Sequence, residues 1–360
     1  MPIPSDISPY IELLQRLIAT PSFSRAEDAT ALLLYDFLEE AGARPRRIAN
    51  NIYALSPGFD PSRPTLMLNS HHDTVRPADS YTRDPFSPVI ADGRLYGLGS
   101  NDAGASGVSL AAAFLALRDK PLPFNLLLAL TAEEEVGGEK GMRLFLPELE
   151  RRGIIPAAAI VGEPTGMQAA VAERGLVVLD GVTAGVSGHA ARGEGVNAIY
   201  RAMADIDRLR SLRLPRESAV LGPVTLNVTQ IEAGKAHNVI PDSCRWVVDI
   251  RTTDAYTNEE IVAIMQETVS PHTVVTPRST RVRASVIDPS HPLVRCAVVE
   301  GAATFVSPTT SDMSLMHGFQ SLKIGPGDSA RSHRADEYVE IDEIARAIPQ
   351  YINIISNLTL

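Results

Sequence analysis

Phe124-Asn125-Leu126-Leu127-Leu128-Ala129-Leu130-Thr131-Ala132-Glu133-Glu134-Glu135-Val136-Gly137-Gly138 carries an apolar run straight into three carboxylates and two glycines. The run lacks the alternation of a half-exposed strand. It reads as a parallel strand buried on both faces, with the acidic triplet in the loop at its C-terminal end. Neighbouring side chains in such a loop project in different directions, so adjacent glutamates can do different jobs at one centre. An acidic triplet by itself reads as a solvated loop. The rest of the chain decides whether anything meets it.

Working outward, Thr65–Asn69 is a short buried strand running into Ser70-His71-His72-Asp73, and Ala157–Val161 is another, ending in Gly162-Glu163-Pro164-Thr165. Helical spacing places Ile11, Leu14, Leu17 and Ile18 on one face, then Ala31, Leu34 and Leu38 on a second helix, with Ser22 or Ser24 as its cap. A small-residue helix over 103–117 follows Gly97-Leu98-Gly99-Ser100-Asn101-Asp102, and an amphipathic helix is predicted over 141–152. Strands alternating with helices predict an α/β fold, a mostly parallel sheet sandwiched by helices. Four strand ends in a row are expected to deliver His71 and Asp73, then Asp102, then Glu134 and Glu135, then Glu163, and ligands of open α/β sheets bind outside the carboxyl ends of the strands.

The texture changes near Arg174. Leu176–Val186 alternates apolar with small or polar residues, a helix is predicted over 197–212, strands over 224–231 and 245–251, a helix over 258–269 and a last strand over 274–284. The order β-α-β-β-α-β is that of a ferredoxin-like insert. The predicted organisation is a catalytic domain built from 1–173 and 285–360, interrupted by an α+β domain over 174–284.

A chain of 360 residues suits two domains, and 44% hydrophobic with 21% charged residues is ordinary globular composition. A formal net charge of −10 argues against general binding to nucleic acid or anionic membranes. Cys244 and Cys296 have neither metal-type nor redox-type spacing and read as reduced core residues. Met1–Asp6 lacks a basic region followed by an apolar one and no apolar run is long enough to span a bilayer, so a cytoplasmic location is expected.

His71-His72-Asp73 alone reads as a surface turn as readily as a site; at a strand end His71 can bind a metal through one ring nitrogen, with Asp73 the candidate to orient its imidazole and His72 pointing away. The turn before Asp102 invites a dinucleotide-binding reading, but the sixth position of that fingerprint is Asp102 rather than glycine or alanine. A carboxylate held in a tight turn suits a bridge between two metal ions instead. At this point the chain resembles the zinc-dependent amidohydrolases that include acetylornithine deacetylase, succinyl-diaminopimelate desuccinylase, aminoacylase and bacterial glutamate carboxypeptidase. The matching blocks are Ser70-His71-His72-Asp73-Thr74-Val75, Gly97 to Asp102, Thr131 to Gly138, Gly162-Glu163-Pro164-Thr165 and Ser332-His333-Arg334-Ala335-Asp336-Glu337, in the family's order.

The resemblance implies that His71 and Glu163 hold one zinc, Glu135 and His333 the other, with Asp102 bridging and Glu134 as general base; cobalt or manganese can replace zinc in such sites. It also implies a cis peptide at Asp102-Ala103, and a structural part for Glu133. In the insert it implies that His189, in Ser187-Gly188-His189-Ala190, reaches the partner subunit's active site in a homodimer and stabilises the oxyanion. Asn238 and Arg251 match substrate-binding positions, with a surface salt bridge as the plain alternative for Arg251, and Gly325 and Gly327 match a loop lining the substrate site. Asp312 either contacts a substrate cation or caps the following helix. His237, His272, His291 and His317 match no metal role.

The function implied is a two-zinc hydrolysis of an N-acyl amino acid, with the insert as lid and dimerisation domain. N-acetylornithine or N-acetylcitrulline deacetylation in arginine biosynthesis ranks first, a dipeptidase or carboxypeptidase second and succinyl-diaminopimelate desuccinylase third. A succinyl substrate demands an extra cation, for which Arg331 and Arg192 are the candidates. A non-catalytic relative kept as a binding module predicts lost ligands, whereas the five ligands, Asp73 and Glu134 are all present.

Overall fold

The structure, a computed structural model, describes Pro4 and residues 6–360, which form two compact units. The first comprises residues up to 171 together with 287–305 and 311–360. Its sheet runs in the order Arg46–Ile48, Asn51–Leu55, Asn125–Thr131, Thr65–His71, Ala158–Val161, Gln320–Lys323, Ala169–Glu173. The four strands from Asn125–Thr131 to Gln320–Lys323 are mutually parallel, as the unbroken apolar runs predict. Asn125–Thr131 and Thr65–His71 are buried along their whole length, which requires cover on both faces.

On one face Met142, Phe145 and Leu149 of the helix Met142–Arg151 pack with Tyr53, Met67, Leu127, Ala129 and Ala159. Against the other lies the small-residue helix Ala105–Leu117, nearly all of it buried, packed in turn by Ser8–Ile18 and Ile341–Ser356. Its small side chains let the helix come close to the sheet. Neither Ser22 nor Ser24 caps Asp28–Glu40, which starts after Glu27 without a side-chain cap. The Ser24 hydroxyl is spent elsewhere, donating to Asp73 Oδ2 at 2.7 Å.

The second unit comprises 172–286 and 306–310. Its antiparallel sheet has the order Thr225–Ala233, Ser243–Thr252, Gly175–Ala184, Thr273–Val282, the strand order expected when β-α-β-β-α-β folds as a ferredoxin-like domain. The helices Ala198–Ser211 and Asn258–Thr268 close over Val177, Leu179, Trp246, Val248 and Ile250. Cys244 is buried and Cys296 half-buried, and both are free thiols. No helix among the described residues is long and apolar enough to cross a membrane.

Candidate active site

The four parallel strands bring their residues to one edge. His71 ends Thr65–His71, Glu134 and Glu135 form the turn after Asn125–Thr131, Glu163 follows Ala158–Val161, and Gly325 follows Gln320–Lys323. Asp102 comes from the tight turn Ser100–Gly104, where the Asp102-Ala103 peptide is cis. His333 comes from the loop before the strand Tyr338–Glu340.

Asp102 sits in the middle. Its Oδ1 lies 3.3 Å from His71 Nε2 and its Oδ2 3.6 Å from His333 Nε2, so one carboxylate faces two histidines. Glu163 Oε1 is 3.8 Å from His71 Nε2, and the Glu135 oxygens are 3.0 and 3.1 Å from His333 Nε2. Two groups of metal-ligand type result, His71, Asp102 and Glu163, and Asp102, Glu135 and His333. Ligand atoms about 2.0–2.2 Å from a tetrahedral zinc stand roughly 3.3–3.6 Å apart. The histidine–carboxylate separations of 3.0–3.8 Å straddle that spacing, so the residues fit a pair of divalent ions.

Glu134 belongs to neither group, yet its Oε2 is 4.0 Å from His71 Nε2. Burial, reinforced by the charges of Glu163, Asp312 and Glu135, pushes the Glu134 carboxyl well above the ordinary range, against the opposing pull of His71. Burial likewise lifts Glu163 to about 8, with Asp102 and Glu135 adding to it. His71 moves up: burial works against its charge, but Asp102 and Asp73 outweigh it. His333 rises to about 9, chiefly through its hydrogen bond to Glu135. Cations at this centre would offset the burial cost and the mutual repulsion of its carboxylates.

The orienting role expected of Asp73 takes a different form. The nearest acceptor to His71 Nδ1 is the Asp73 backbone carbonyl at 3.0 Å, with carboxylate Oδ1 at 3.5 Å. The carboxylate mainly receives the N–H groups of Glu134 and Glu135, at 3.0 and 3.2 Å, and so holds the turn carrying both. Glu133 has a structural job, accepting the Lys140 N–H at 3.1 Å. Gly325 packs on Glu163, since a Cβ there would lie 2.5 Å from the Glu163 carbonyl oxygen, and Gly327, at φ +89°, abuts Asn101.

Asp312 is not the cap. Ser311 takes that place, and the buried Asp312 carboxylate accepts the Thr131 hydroxyl at 2.8 Å. Burial raises it to about 6. Sequence reasoning also left Glu337 without a role, although it stands four residues after His333 in a quoted block. This buried carboxylate accepts three backbone N–H groups, from Gly99, Asn101 and Asp102. Burial pushes it up to about 8, Asp102 adds to this, and the three donors oppose it.

His189, Asn238 and Arg251 belong to the second unit. The short pairing of Gly188–His189 with Val239–Ile240 brings His189 next to Asn238, whose carbonyl accepts the Ala190 N–H at 3.1 Å. His189 Nδ1 accepts the Ala191 N–H at 3.2 Å, which leaves the ring proton on the exposed Nε2. Arg251 is engaged on its own strand, Nε and Nη2 donating to Asp249 at 2.8 and 3.1 Å. Arg331 is paired to Glu343 at 2.7 Å and stacked over Tyr338.

A family model for peptidase family M20/M25/M40 matches residues 67–357, which include every ligand-type residue of the centre. The chain belongs to this family. It is a metal-dependent hydrolase of amide bonds. Within the M20 family it is 28% identical to a succinyl-diaminopimelate desuccinylase of Rhizorhabdus wittichii, over 96% of this chain and 97% of that protein. Its fold is similar to that of aminopeptidase PepT from Bacillus cereus, with a TM-score of 0.78 and 19% identity over 98% of each chain. It is also similar to that of Bacillus subtilis YxeP, described as a dinuclear metal-binding peptidase of the M20 family, with a TM-score of 0.73 and 16% identity over 98% of each chain.

Proposed function

We propose that this chain removes the acyl group from an N-acyl amino acid, with His71 and Glu163 holding one divalent ion, Glu135 and His333 a second, and Asp102 shared. The observation that carries it is the single Asp102 carboxylate facing both histidines, with Glu134 beside His71 but outside both groups. Bound there, two divalent ions, zinc in the first instance, would supply Lewis acidity that polarises the acyl carbonyl and acidifies a water.

Glu134 takes the proton of the attacking water on its carboxylate. The water oxygen bonds to the acyl carbon, the C–N bond breaks, and Glu134 returns the proton to the departing amine nitrogen. Lying outside both ligand groups, its carboxylate is free to accept that proton and hold it until the amine leaves. His189, with its proton on Nε2, is the donor for the oxyanion. Asn238 and Arg251 bind the amino-acid part. Asp249 covers only the Nε side of the Arg251 fork, and the Nη1 edge remains for a substrate carboxylate. Gly325 and Gly327 line the substrate site.

N-acetylornithine or N-acetylcitrulline, in a cytoplasmic biosynthetic setting, is the substrate we favour. The engagement of Arg331 with Glu343 supports it, because that cation is not free to receive a succinyl carboxylate. The 28% identity to a desuccinylase favours a second reading, in which Arg192, exposed and without a partner among the described residues, receives that carboxylate. The 174–284 domain is proposed as lid and homodimer surface. The outer edge of Thr225–Ala233 is unpaired among the described residues, and Ile231, Tyr200 and Met203 are exposed at 56%, 71% and 56%. An amine-release assay across N-acetylornithine, N-acetylcitrulline, N-succinyl-diaminopimelate and dipeptides tests the assignment. Preference for the succinyl compound would replace the acetyl reading, and no turnover of any would remove the proposal.

A further inference from the structure

We propose that Glu337 is a positioning residue for the metal centre: it fixes the backbone of the Asp102 turn, and metal affinity at both groups depends on it. This rests on the reading of Asp102 as the shared ligand. Glu337 immediately precedes Tyr338–Glu340, which pairs antiparallel with Arg94–Tyr96, and its carbonyl extends that ladder by accepting the Gly97 N–H at 2.9 Å. The pairing aims the Glu337 side chain into the turn that follows Tyr96. There Oε2 accepts the Gly99 N–H at 3.1 Å, and Oε1 accepts those of Asn101 and Asp102 at 2.8 and 2.9 Å.

Three amides converging on one buried carboxylate form an anion nest, here filled by the protein's own side chain. The turn cannot take this shape by default. Gly99 has φ +76° and a Cβ there would lie 2.6 Å from Thr74 Cγ2. The amides of the turn point onto the Glu337 carboxylate, which is itself only 2% exposed, so removing that carboxylate takes away the acceptor the turn is built around. Asn101 ties the same two segments again, Nδ2 donating to the Asp328 carbonyl at 3.1 Å and to Ser332 Oγ at 3.3 Å. The segment His333–Glu337 therefore supplies one ligand directly and places another through its backbone. An Asp102 free to shift by an ångström would lose its reach to one histidine or the other, since both separations are already 3.3–3.6 Å.

Glu337→Gln is the direct test. The amide keeps an acceptor for Asn101 and Asp102 but sets its NH₂ against the Gly99 N–H. Zinc affinity of the metal-free protein is measured by competition with a chromogenic chelator, beside the wild type, Glu337→Asp and Asp102→Asn. A roughly 10–100-fold loss of affinity is expected for Glu337→Gln, the range typical of groups that orient ligands. Glu337→Asp keeps the charge but is one methylene short, and it weakens binding too, deciding the matter if the glutamine variant does not fold. A residue that serves only the fold would lower the unfolding midpoint of the metal-free protein and leave zinc affinity unchanged; that result, with Asp102→Asn still weakened, overturns the proposal. Wild-type affinity in Asp102→Asn would instead remove the shared-ligand reading, and the proposal with it.

Discussion

Replacing Glu163 by glutamine should stabilise the metal-free protein at high pH while weakening the metal-loaded one. The Glu163 carboxyl is buried and is lifted to about 8 from an ordinary 4.5, first by burial and then by the charges of Asp102 and Glu135. A carboxyl whose folded-state value is raised binds its proton more tightly in the folded chain. Stability is therefore undiminished below about pH 4.5 and lost progressively as pH rises to about 8, beyond which the loss is constant. The interval of about 3.5 pH units corresponds to about 5 kcal/mol. This is a ceiling, because neutralising one carboxylate also relaxes its neighbours. At about 2 °C per kcal/mol for a unit of this size, Glu163→Gln should raise the midpoint of the chelated protein by roughly 5–10 °C at pH 9. The gain should vanish near pH 4.5. With saturating zinc the order should reverse, since the wild type gains the binding free energy of a ligand that the variant lacks. Thermal unfolding followed by circular dichroism, at both pH values with and without zinc, reads all four conditions. An equal difference between the two proteins at pH 4.5 and 9, or a variant less stable throughout, would refute the account of Glu163 as a repelled carboxylate awaiting a cation.

Glu134→Gln should lower kcat by about 10²–10⁴ with metal content unchanged, measured by amine release and elemental analysis; activity within tenfold of wild type would exclude it as the base. Arg251→Ala should raise KM about 10–100-fold for substrates with a free α-carboxylate and leave their amidated forms unaffected, as loss of a charged hydrogen-bond pair predicts. Mixing His189→Ala with Glu134→Gln subunits should restore activity to roughly a quarter of the sites if the histidine acts across a dimer, because half the dimers are hybrids with one complete site. No recovery on mixing would place the histidine's action within one chain.

The fold was legible wherever burial wrote a continuous signal. Leu126–Leu130 and Leu66–Leu68 are apolar without interruption because helices cover both faces of the sheet, and the alternation from Leu176 onward marks a strand with one side exposed. Glu134, Glu135 and Glu163 were legible because the ends of parallel strands converge at one end of a sheet; Asp102, read as a further strand end, comes instead from the turn Ser100–Gly104 outside that sheet. Arg251 was less so: its partner Asp249 stands two residues away on the same strand face, a pairing that any strand allows and none requires. Ser24 and Asp312 escaped because their partners, Asp73 and Thr131, lie 49 and 181 residues away. A cap is a local inference, and both of these side chains act at long range.

The buried carboxylates of this unit look alike in sequence, and what separates them is the use of their lone pairs. Asp73 accepts from Ser24, Glu134 and Glu135, and Glu337 from three amides, so each is saturated with donors from its own chain. Asp312 accepts the Thr131 hydroxyl. Glu135 and Asp102 face histidine nitrogens, which a metal ion can also claim. Glu134 and Glu163 face His71 at 4.0 and 3.8 Å, too far for a hydrogen bond, and both are raised by burial and by neighbouring carboxylates. A buried carboxylate with satisfied oxygens is already spent on holding backbone. One with unsatisfied oxygens is destabilising until something positive arrives, whether a metal ion or a proton taken from water. That division sets Asp73 and Glu337 apart as supports and leaves Glu134 and Glu163 for the proton and metal roles proposed above, from the donors around each oxygen rather than from position in the chain.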